Sequence, residues 1–144
     1  MKESRELELK STITNTFLKT VSAFSNYNTG KIIFGVDDNG KIVGLENIEE
    51  LCLDLENKIN DNINPKPDFK FIKDKKKNII TLIVEEGMNK PYLYKGKAYK
   101  RNDTSTVEVD KIELNRLTLS GLNQYYEELK AKNQNLEFNI LKKN

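Results

Sequence analysis

The sequence predicts an α/β (α+β) domain with a mixed, mainly antiparallel sheet, β-hairpins, two helices packed on that sheet and a C-terminal helix. Short apolar runs alternate with two amphipathic helical stretches. The dipeptide Asn39-Gly40, typical of a type I′ hairpin turn, separates two of the strand-like runs. The length of 144 residues suits one core. We expect a domain over residues 3–108 and a helical extension over residues 109–144.

Apolar spacing in the first half of the chain indicates three strands and two helices. Leu7 and Leu9 alternate with charged residues, as on a strand with one apolar face. Asn47 has the position of an N-cap residue, with Glu50 in the capping-box position. The expected elements are a strand over 6–10, a helix over about 12–26, a buried strand over 31–36, its hairpin partner over 41–45 and a helix over 48–63.

The second half predicts two more strands, over 69–73 and 79–84, joined by a lysine-rich turn. A final hairpin is expected over 91–101, around Lys95-Gly96. Asp110 and Glu113 then have the spacing of a capping box at the start of the last helical stretch. We expect that stretch to be interrupted near Gly121 and to end around Lys132.

Residue usage limits the chemistry. Histidine is absent, which excludes any catalytic triad built on it and removes the commonest zinc ligand. Cys52 is the single cysteine, so no disulfide forms within the chain, and its place on an apolar helical stripe predicts a core residue. The charged N-terminus and the lack of any run of ~20 apolar residues predict a cytoplasmic protein with no membrane contact.

Charge is distributed unevenly along the chain. Residues 64–101 carry eleven basic and four acidic side chains, whereas residues 37–63 carry two and eight. A basic segment of this kind favours a polyanionic partner such as nucleic acid. A solvated, lysine-rich surface is the alternative reading.

Three carboxylates are candidates for a metal site: Glu3 and Glu8 flank the first strand, and Asp38 (or Asp37) follows the strongest strand. Carboxylate oxygens at strand ends suit Mg²⁺ or Mn²⁺. Without histidine, metal-assisted phosphoryl transfer is the hydrolytic chemistry that this composition supports best. Alternatively, Asp37 to Gly40 is simply a good turn sequence, and Glu3 belongs to a frayed end.

Lysines interleaved with tyrosines over residues 90–101 indicate a nucleic-acid interface, because lysines neutralise phosphates and tyrosines stack on bases. Half-buried packing is the alternative for the tyrosines. The chain has neither a Gly-x-Gly-x-x-Gly nor a Walker motif for nucleotide binding. The nucleic-acid-binding candidates are Lys10, Lys90, Tyr92, Lys95, Lys97, Tyr99, Lys100 and Arg101.

Several segments, in order, resemble the schlafen AlbA_2 family. Residues 3–10 resemble its opening E-S-x-x-x-E-F-K, and residues 21–30 resemble its S-A-F-A-N-T-x-G-G stretch. Residues 35–44 match its G-V-D-D-x-G-x-V-x-G hairpin almost completely. Residues 90–106 resemble its closing K-P…Y-x-R-x-G-S-S-T, except that Asn102-Asp103 replaces the usual pair; Thr29 similarly replaces a glycine.

The resemblance implies an α/β module described as DNA-binding, often at the N-terminus of longer prokaryotic regulators. Related domains of animal schlafens form a nuclease core that cuts transfer RNA with three acidic residues. Carried over by motif, those catalytic and metal-binding acids fall on Glu3, Glu8 and Asp38. Two lobes of that core face each other, which implies a homodimer for a single-lobe chain.

Three functions are therefore open. The first is a nucleic-acid-binding domain of a transcriptional regulator or defence-type protein. The second is a Mg²⁺- or Mn²⁺-dependent endoribonuclease that acts on structured RNA such as tRNA. The third is a dimerisation or interaction module. Apolar residues of the last helical stretch favour a homodimer interface: Leu114, Leu117, Leu122, Tyr125 and Leu129.

Overall fold

The computed structural model describes residues 1–142, which form the expected mixed α+β arrangement with a C-terminal helix. The elements, in chain order, are β1 (Leu7–Lys10), α1 (Phe17–Tyr27), β2 (Gly30–Phe34), α2 (Ile48–Asn62), β3 (Ile63–Asn64), β4 (Asp68–Asp74), β5 (Ile79–Glu85), β6 (Leu93–Tyr94), β7 (Tyr99–Asn102), β8 (Ser105–Glu108) and α3 (Lys111–Lys142). The last two residues of the expected extension, 143 and 144, lie outside the described residues.

The main sheet has four strands in the order β1-β2-β5-β4. β1 and β2 are parallel and connected through α1, whereas β5 is antiparallel to both of its neighbours. The short pairs β3–β6 and β7–β8 are separate antiparallel ribbons. The prediction of a mixed, mainly antiparallel sheet is confirmed.

Both helices α1 and α2 pack on one face of the main sheet. The apolar residues of α1 and α2 form one buried cluster with the inward-facing side chains of β2 and β5. Phe17 and Phe34 meet edge to face, with ring centroids 5.4 Å apart. Cys52 is buried in this cluster, as its sequence position predicts. A smaller cluster that includes Leu9 and Ile33 lies apart from it.

The turn after β2 differs from the predicted type I′ hairpin. Between Asp37 and Lys41 only Gly40 has a positive φ (83°), whereas a type I′ turn needs positive φ at Asn39 as well. The Gly40 N–H donates to the Asp37 carbonyl oxygen at 3.0 Å, and Asp37 Oδ1 accepts the N–H groups of Asn39 and Lys41, each at 2.9 Å. The return segment makes a single bridge, Val36 to Ile42, instead of a strand.

The predicted start of α1 and the predicted capping of α2 also differ from the structure. α1 begins at Phe17 rather than near Thr12, because the intervening hydroxyl-rich residues form turns. Asn47 does precede α2, but its backbone is left-handed (φ 54°, ψ 55°) and its side chain makes no capping hydrogen bond. The predicted capping box there is therefore wrong.

The predicted hairpin over 91–101 is wrong except for its turn. Tyr94 and Lys97 exchange backbone hydrogen bonds of 2.9 and 3.0 Å across Lys95 and Gly96, which both have positive φ. The flanking strands have other partners, however. β6 pairs with β3, and β7 pairs with β8.

α3 is a single helix of 32 residues, so the predicted interruption at Gly121 and the predicted end near Lys132 are wrong. Its predicted start is confirmed, because the Glu113 N–H donates to Asp110 Oδ1 at 2.9 Å. The helix docks on the domain through Leu117, which is buried in a cluster with Ala98 and Val109. No helix in the described part of the chain is long and apolar enough to cross a membrane.

A tyrosine joins α1 to α3. The Tyr27 hydroxyl donates to Glu113 Oε2 at 3.2 Å, and Lys100 forms an ion pair with the other oxygen of the same carboxylate. Burial, with the nearby Glu113 charge as the next cause, raises the pKa of Tyr27 to about 12. The docked end of α3 is thus held by polar contacts as well as by Leu117.

Replacement of Gly121 by alanine is expected to destabilise the fold. A Cβ at this position would collide with the Lys90 carbonyl oxygen, so glycine permits a close backbone approach. In an ordinary helix interior the same change stabilises by about 1 kcal/mol. We expect a lower midpoint of urea unfolding for Gly121→Ala and little change for Ser120→Ala. A higher midpoint for Gly121→Ala would contradict this contact.

Candidate nucleic-acid interface and acidic cleft

The Arg101 side chain on β7 is buried, with the residue only 3% exposed, although it carries a permanent charge. Its Nη2 donates to the carbonyl oxygens of Ser4 at 2.8 Å and Leu7 at 3.4 Å, and its Nε donates to that of Arg5 at 3.3 Å. Its Nη1 donates to Thr106 Oγ1 at 3.1 Å. Arg101 therefore fixes the turn before β1, and its donors are used within the domain instead of being free for the phosphate contact that the sequence predicts.

Glu8 supplies the counter-charge from β1. Its Oε1 lies 3.5 Å from Arg101 Nη1 and 3.9 Å from Lys10 Nζ. Its other oxygen, Oε2, is buried and has no hydrogen-bond partner. Burial of a carboxylate oxygen without a hydrogen-bond partner costs free energy. This oxygen can therefore still accept a hydrogen bond or bind a cation.

Glu3 is held against the same strand. β1 is at the edge of the main sheet, and Glu3 Oε1 accepts the backbone N–H of Leu9 at 3.0 Å. The carboxylate thus satisfies a donor at the sheet edge. Glu3 is half-buried and ordered by this bond rather than frayed.

Asp38 reaches this region through the turn after β2. Because β1 and β2 are parallel, the C-terminal end of β1 lies beside the start of that turn: the Lys10 carbonyl oxygen accepts the Gly35 N–H at 2.7 Å. Met1 packs on Gly40, where a Cβ would collide with the Met1 carbonyl oxygen. Asp38 itself is exposed.

All three predicted acids line one cleft of about 370 Å³, here called the acidic cleft. Its lining residues are Glu3, Glu8, Leu9, Lys10, Ser11, Thr12, Thr14 and Asp38. Sequence reasoning missed the three hydroxyl residues because it placed Thr12 and Thr14 in the first turn of α1 and gave Ser11 no role. The run of Ser and Thr between β1 and the first apolar residues of α1 was the available signal, since such residues favour turns and caps.

The geometry limits how a metal ion could be held. In the part of the chain that the structure describes, no three carboxylate or thiol side chains lie close enough to bind one ion together. Mg²⁺ commonly keeps several waters and uses one or two carboxylates. The unpaired oxygen of Glu8 suits that arrangement. The cleft therefore fits a hydrated divalent cation better than a cation ligated directly by Glu3, Glu8 and Asp38.

Three more of the predicted basic residues are paired with acidic side chains. Lys90 pairs with Glu86 at 2.6 Å, Lys97 pairs with Glu108 at 3.5 Å, and Lys100 pairs with Glu113. Lys95 is exposed in its turn, 5.4 Å from the Tyr94 ring centroid. Lys10 is the only one of these candidates that lines the acidic cleft.

Tyr92 and Tyr99 differ from their predicted role because both are buried, with 3% and 8% of their surface exposed. Neither ring offers a free face on which a base could stack. Their backbones are held by α1. The Tyr92 N–H donates to Asn26 Oδ1 at 2.7 Å, and the Tyr99 N–H donates to Ser22 Oγ at 3.2 Å.

The stretch of residues 21–26 thus has a structural role. Ser22 Oγ and Asn26 Nδ2 both donate to the Tyr92 carbonyl oxygen, at 2.8 and 2.9 Å. These polar residues on a buried helix face fix the segments before β6 and β7. One of those segments leads directly to Arg101.

The sequence matches the family model described as Schlafen, AlbA_2 over residues 3–110. The chain belongs to the Schlafen AlbA_2 family. The resemblance inferred from its motifs is confirmed. No curated protein sequence matches the chain significantly.

Several solved structures resemble this AlbA_2 chain, two bacterial proteins among them. The DIP2311 protein of Corynebacterium diphtheriae matches with a TM-score of 0.55 and 19% identity, over 76% of this chain and 26% of that one, so it shows the fold alone. The chain thus spans about a quarter of that protein. The second is the N-terminal domain of a Nitrosomonas europaea protein described as related to the ATP-dependent DNA helicase RecG. It matches with a TM-score of 0.52 and 26% identity, over 66% of this chain and 73% of that domain.

Replacement of Arg101 by methionine is expected to destabilise the AlbA_2 domain by about 3–5 kcal/mol, because it removes the nearer counter-charge of buried Glu8 and leaves only Lys10, at 3.9 Å. The double variant Arg101→Met/Glu8→Gln should recover part of that loss. Lys97→Ala, which breaks an exposed ion pair, should change stability by less than about 1 kcal/mol. Urea unfolding of the variants measures all three. Equal losses for the single and double variants would contradict the Glu8–Arg101 coupling.

Proposed function

We propose that this AlbA_2 domain binds nucleic acid and that a phosphate of the backbone docks at the acidic cleft. The observation that carries the proposal is the composition of the cleft. The Lys10 ammonium and the hydroxyls of Ser11, Thr12 and Thr14 can donate to phosphate oxygens. They lie beside carboxylates that suit a hydrated divalent cation. Family membership and the similarity to a domain of a RecG-related protein support the proposal.

The negative charge of the acidic cleft makes phosphate binding depend on cations. Three carboxylates and one lysine line the cleft, so without a metal ion it repels phosphate. A bound divalent cation reverses that balance, because it attracts both the carboxylates and the phosphate. We therefore expect Mg²⁺ or Mn²⁺ to strengthen binding. A domain of this kind would serve a transcriptional regulator or a defence-type protein.

Lys10→Ala is expected to weaken binding to RNA and DNA alike, because the lysine contacts phosphate rather than a base. The slope of log Kd against log salt should fall by roughly 0.7–0.9 if one phosphate contact is lost. Fluorescence anisotropy with a labelled single strand, an RNA hairpin and a DNA duplex measures both quantities in Mg²⁺.

The matched control is Lys66→Ala, which removes an exposed lysine outside the cleft. It should leave the affinity within about twofold. Equal effects of the two substitutions would show that the domain's overall charge, not the cleft, holds the phosphate. A preference for the RNA hairpin over the DNA duplex would identify the ligand as RNA.

Metal-dependent RNA cleavage is the second candidate, and the unpaired Glu8 oxygen favours it. A cation held there would supply an activated water and stabilise the charge developing on the phosphate. If the domain is a nuclease, tRNA should be cut in Mn²⁺ but not in EDTA. Glu8→Gln should then abolish cleavage, while its RNA affinity in EDTA stays at or above the weak affinity of the wild type, because one negative charge that faces phosphate is gone. Glu6→Gln, at an exposed position just before β1, is the control.

Binding of Mn²⁺ can be measured without nucleic acid. Saturating Mn²⁺ should raise the melting temperature of the wild-type domain, since a ligand that binds only the folded state stabilises it, by about 2.7 kcal/mol at a hundredfold excess over Kd. The shift should disappear in Glu8→Gln and persist in Glu6→Gln. An identical shift in all three proteins would place the cation elsewhere.

A further inference from the structure

The outer part of α3 extends away from the domain. Ser120 and Gln124 still line a depression shared with Lys90. From Tyr125 to Leu136, however, every residue is exposed. This segment is about 18 Å long at 1.5 Å per residue. Isolated helices of this length are marginal in water, because helices in proteins gain most of their stability from packing.

Exposed residues of α3 follow the heptad spacing of a coiled coil. Apolar side chains alternate at intervals of three and four residues, with one asparagine in the series. We call this set the heptad stripe: Leu119, Leu122, Tyr126, Leu129, Asn133 and Leu136. Its five apolar members are between 41% and 62% exposed. Polar residues such as Glu127 and Gln134 occupy outward positions between them.

The stripe lies on a different face from the one that docks on the domain. Leu114, Leu117 and Gly121 face the domain at helical spacing. At 100° per residue, the stripe is turned away from them by more than a quarter of a revolution. The dimer surface expected from the sequence is therefore corrected: Leu114 and Leu117 pack on the domain, and Tyr125 flanks the stripe.

We propose that a second copy of this chain covers the heptad stripe and that the two α3 helices form a parallel, in-register, two-stranded coiled coil. A strict repeat of 3.5 residues is the pattern that keeps one stripe facing a partner helix along its length. The area is sufficient. Five apolar side chains of roughly 100 Å² each amount to about 1,000 Å² over two copies, the lower bound of a specific interface.

Asn133 selects the parallel arrangement. In a parallel, in-register pair it faces Asn133 of the second copy, and the two amides can hydrogen-bond to each other. In an antiparallel pair with the stripes overlapping fully, it would face Leu122 and remain unsatisfied in an apolar interface. A single asparagine at such a position specifies register and two-stranded assembly at some cost in stability.

The oligomeric state tests the interface in the absence of nucleic acid, so its outcome is independent of the proposed function. Sedimentation equilibrium at micromolar concentration should show a dimer. Leu122→Asp/Leu129→Asp should raise the dimer Kd by at least about 100-fold, as loss of central interface residues does. Glu127→Ala/Gln134→Ala should leave it within about threefold. A wild-type monomer, or an unchanged dimer in the aspartate variant, would overturn the proposal.

Cysteine cross-linking tests the orientation. Mild oxidation of Asn133→Cys should give a covalent dimer, because the two introduced thiols meet across the stripe, whereas Gln134→Cys should give little. Buried Cys52 serves as the internal background in the wild-type chain. An antiparallel dimer would place each introduced thiol opposite Leu122, and the absence of an efficient cross-link would overturn the parallel arrangement. Thermal unfolding of the N-terminal domain should be the same in both variants.

Discussion

The Arg101 guanidinium lies between β7 and the turn before β1, where it donates to three backbone carbonyl oxygens. These oxygens belong to the segment that leads into the sheet. Without the arginine each of them would lose a hydrogen-bond donor. Burial of the arginine in turn requires a nearby negative charge, and Glu8 provides it. The first strand is therefore held by an ion pair between residues that are 93 positions apart.

This arrangement gives Glu8 two tasks. One of its oxygens neutralises Arg101, the other is buried without a partner, and the residue lines the acidic cleft. A side chain that is both counter-charge and candidate ligand couples the stability of the edge strand to the occupancy of the cleft. The polar face of α1 adds a second support, because Ser22 holds the start of β7 and Asn26 holds the segment before β6.

Much of the fold follows from local sequence signals. The central strands β2 and β5 read as continuous apolar runs, and α2 follows the spacing of its buried residues. The position of Glu3, Glu8 and Asp38 on one cleft could be predicted from their placement at strand ends and from the family motifs, although they lie too far apart to bind one ion together. Alternation along a strand does not show which face is buried, so the sequence leaves both a stacking surface and half-buried packing open for Tyr92 and Tyr99. The division at residue 108 stays a prediction.

The remaining differences between prediction and structure arise from tertiary contacts, which local sequence patterns do not indicate. The ion pairs that neutralise Lys90, Lys97 and Lys100 depend on how α3 and the ribbons are arranged in space. Gly121 was predicted to break a helix on propensity grounds. The continuous helix overrides that cost of about 1 kcal/mol, and the missing side chain accommodates the Lys90 backbone.

Because α3 runs unbroken through Gly121, the direction of the heptad stripe about the helix axis is set by the domain on which the helix docks. Each residue turns the outer segment by 100°, so inserting one residue after Gly121 would swing the heptad stripe round the axis. Inserting seven would nearly restore its direction and lengthen the arm by about 10 Å. In a pair of chains joined through α3, the length and the rotational phase of the helix would thus fix the separation of the two acidic clefts.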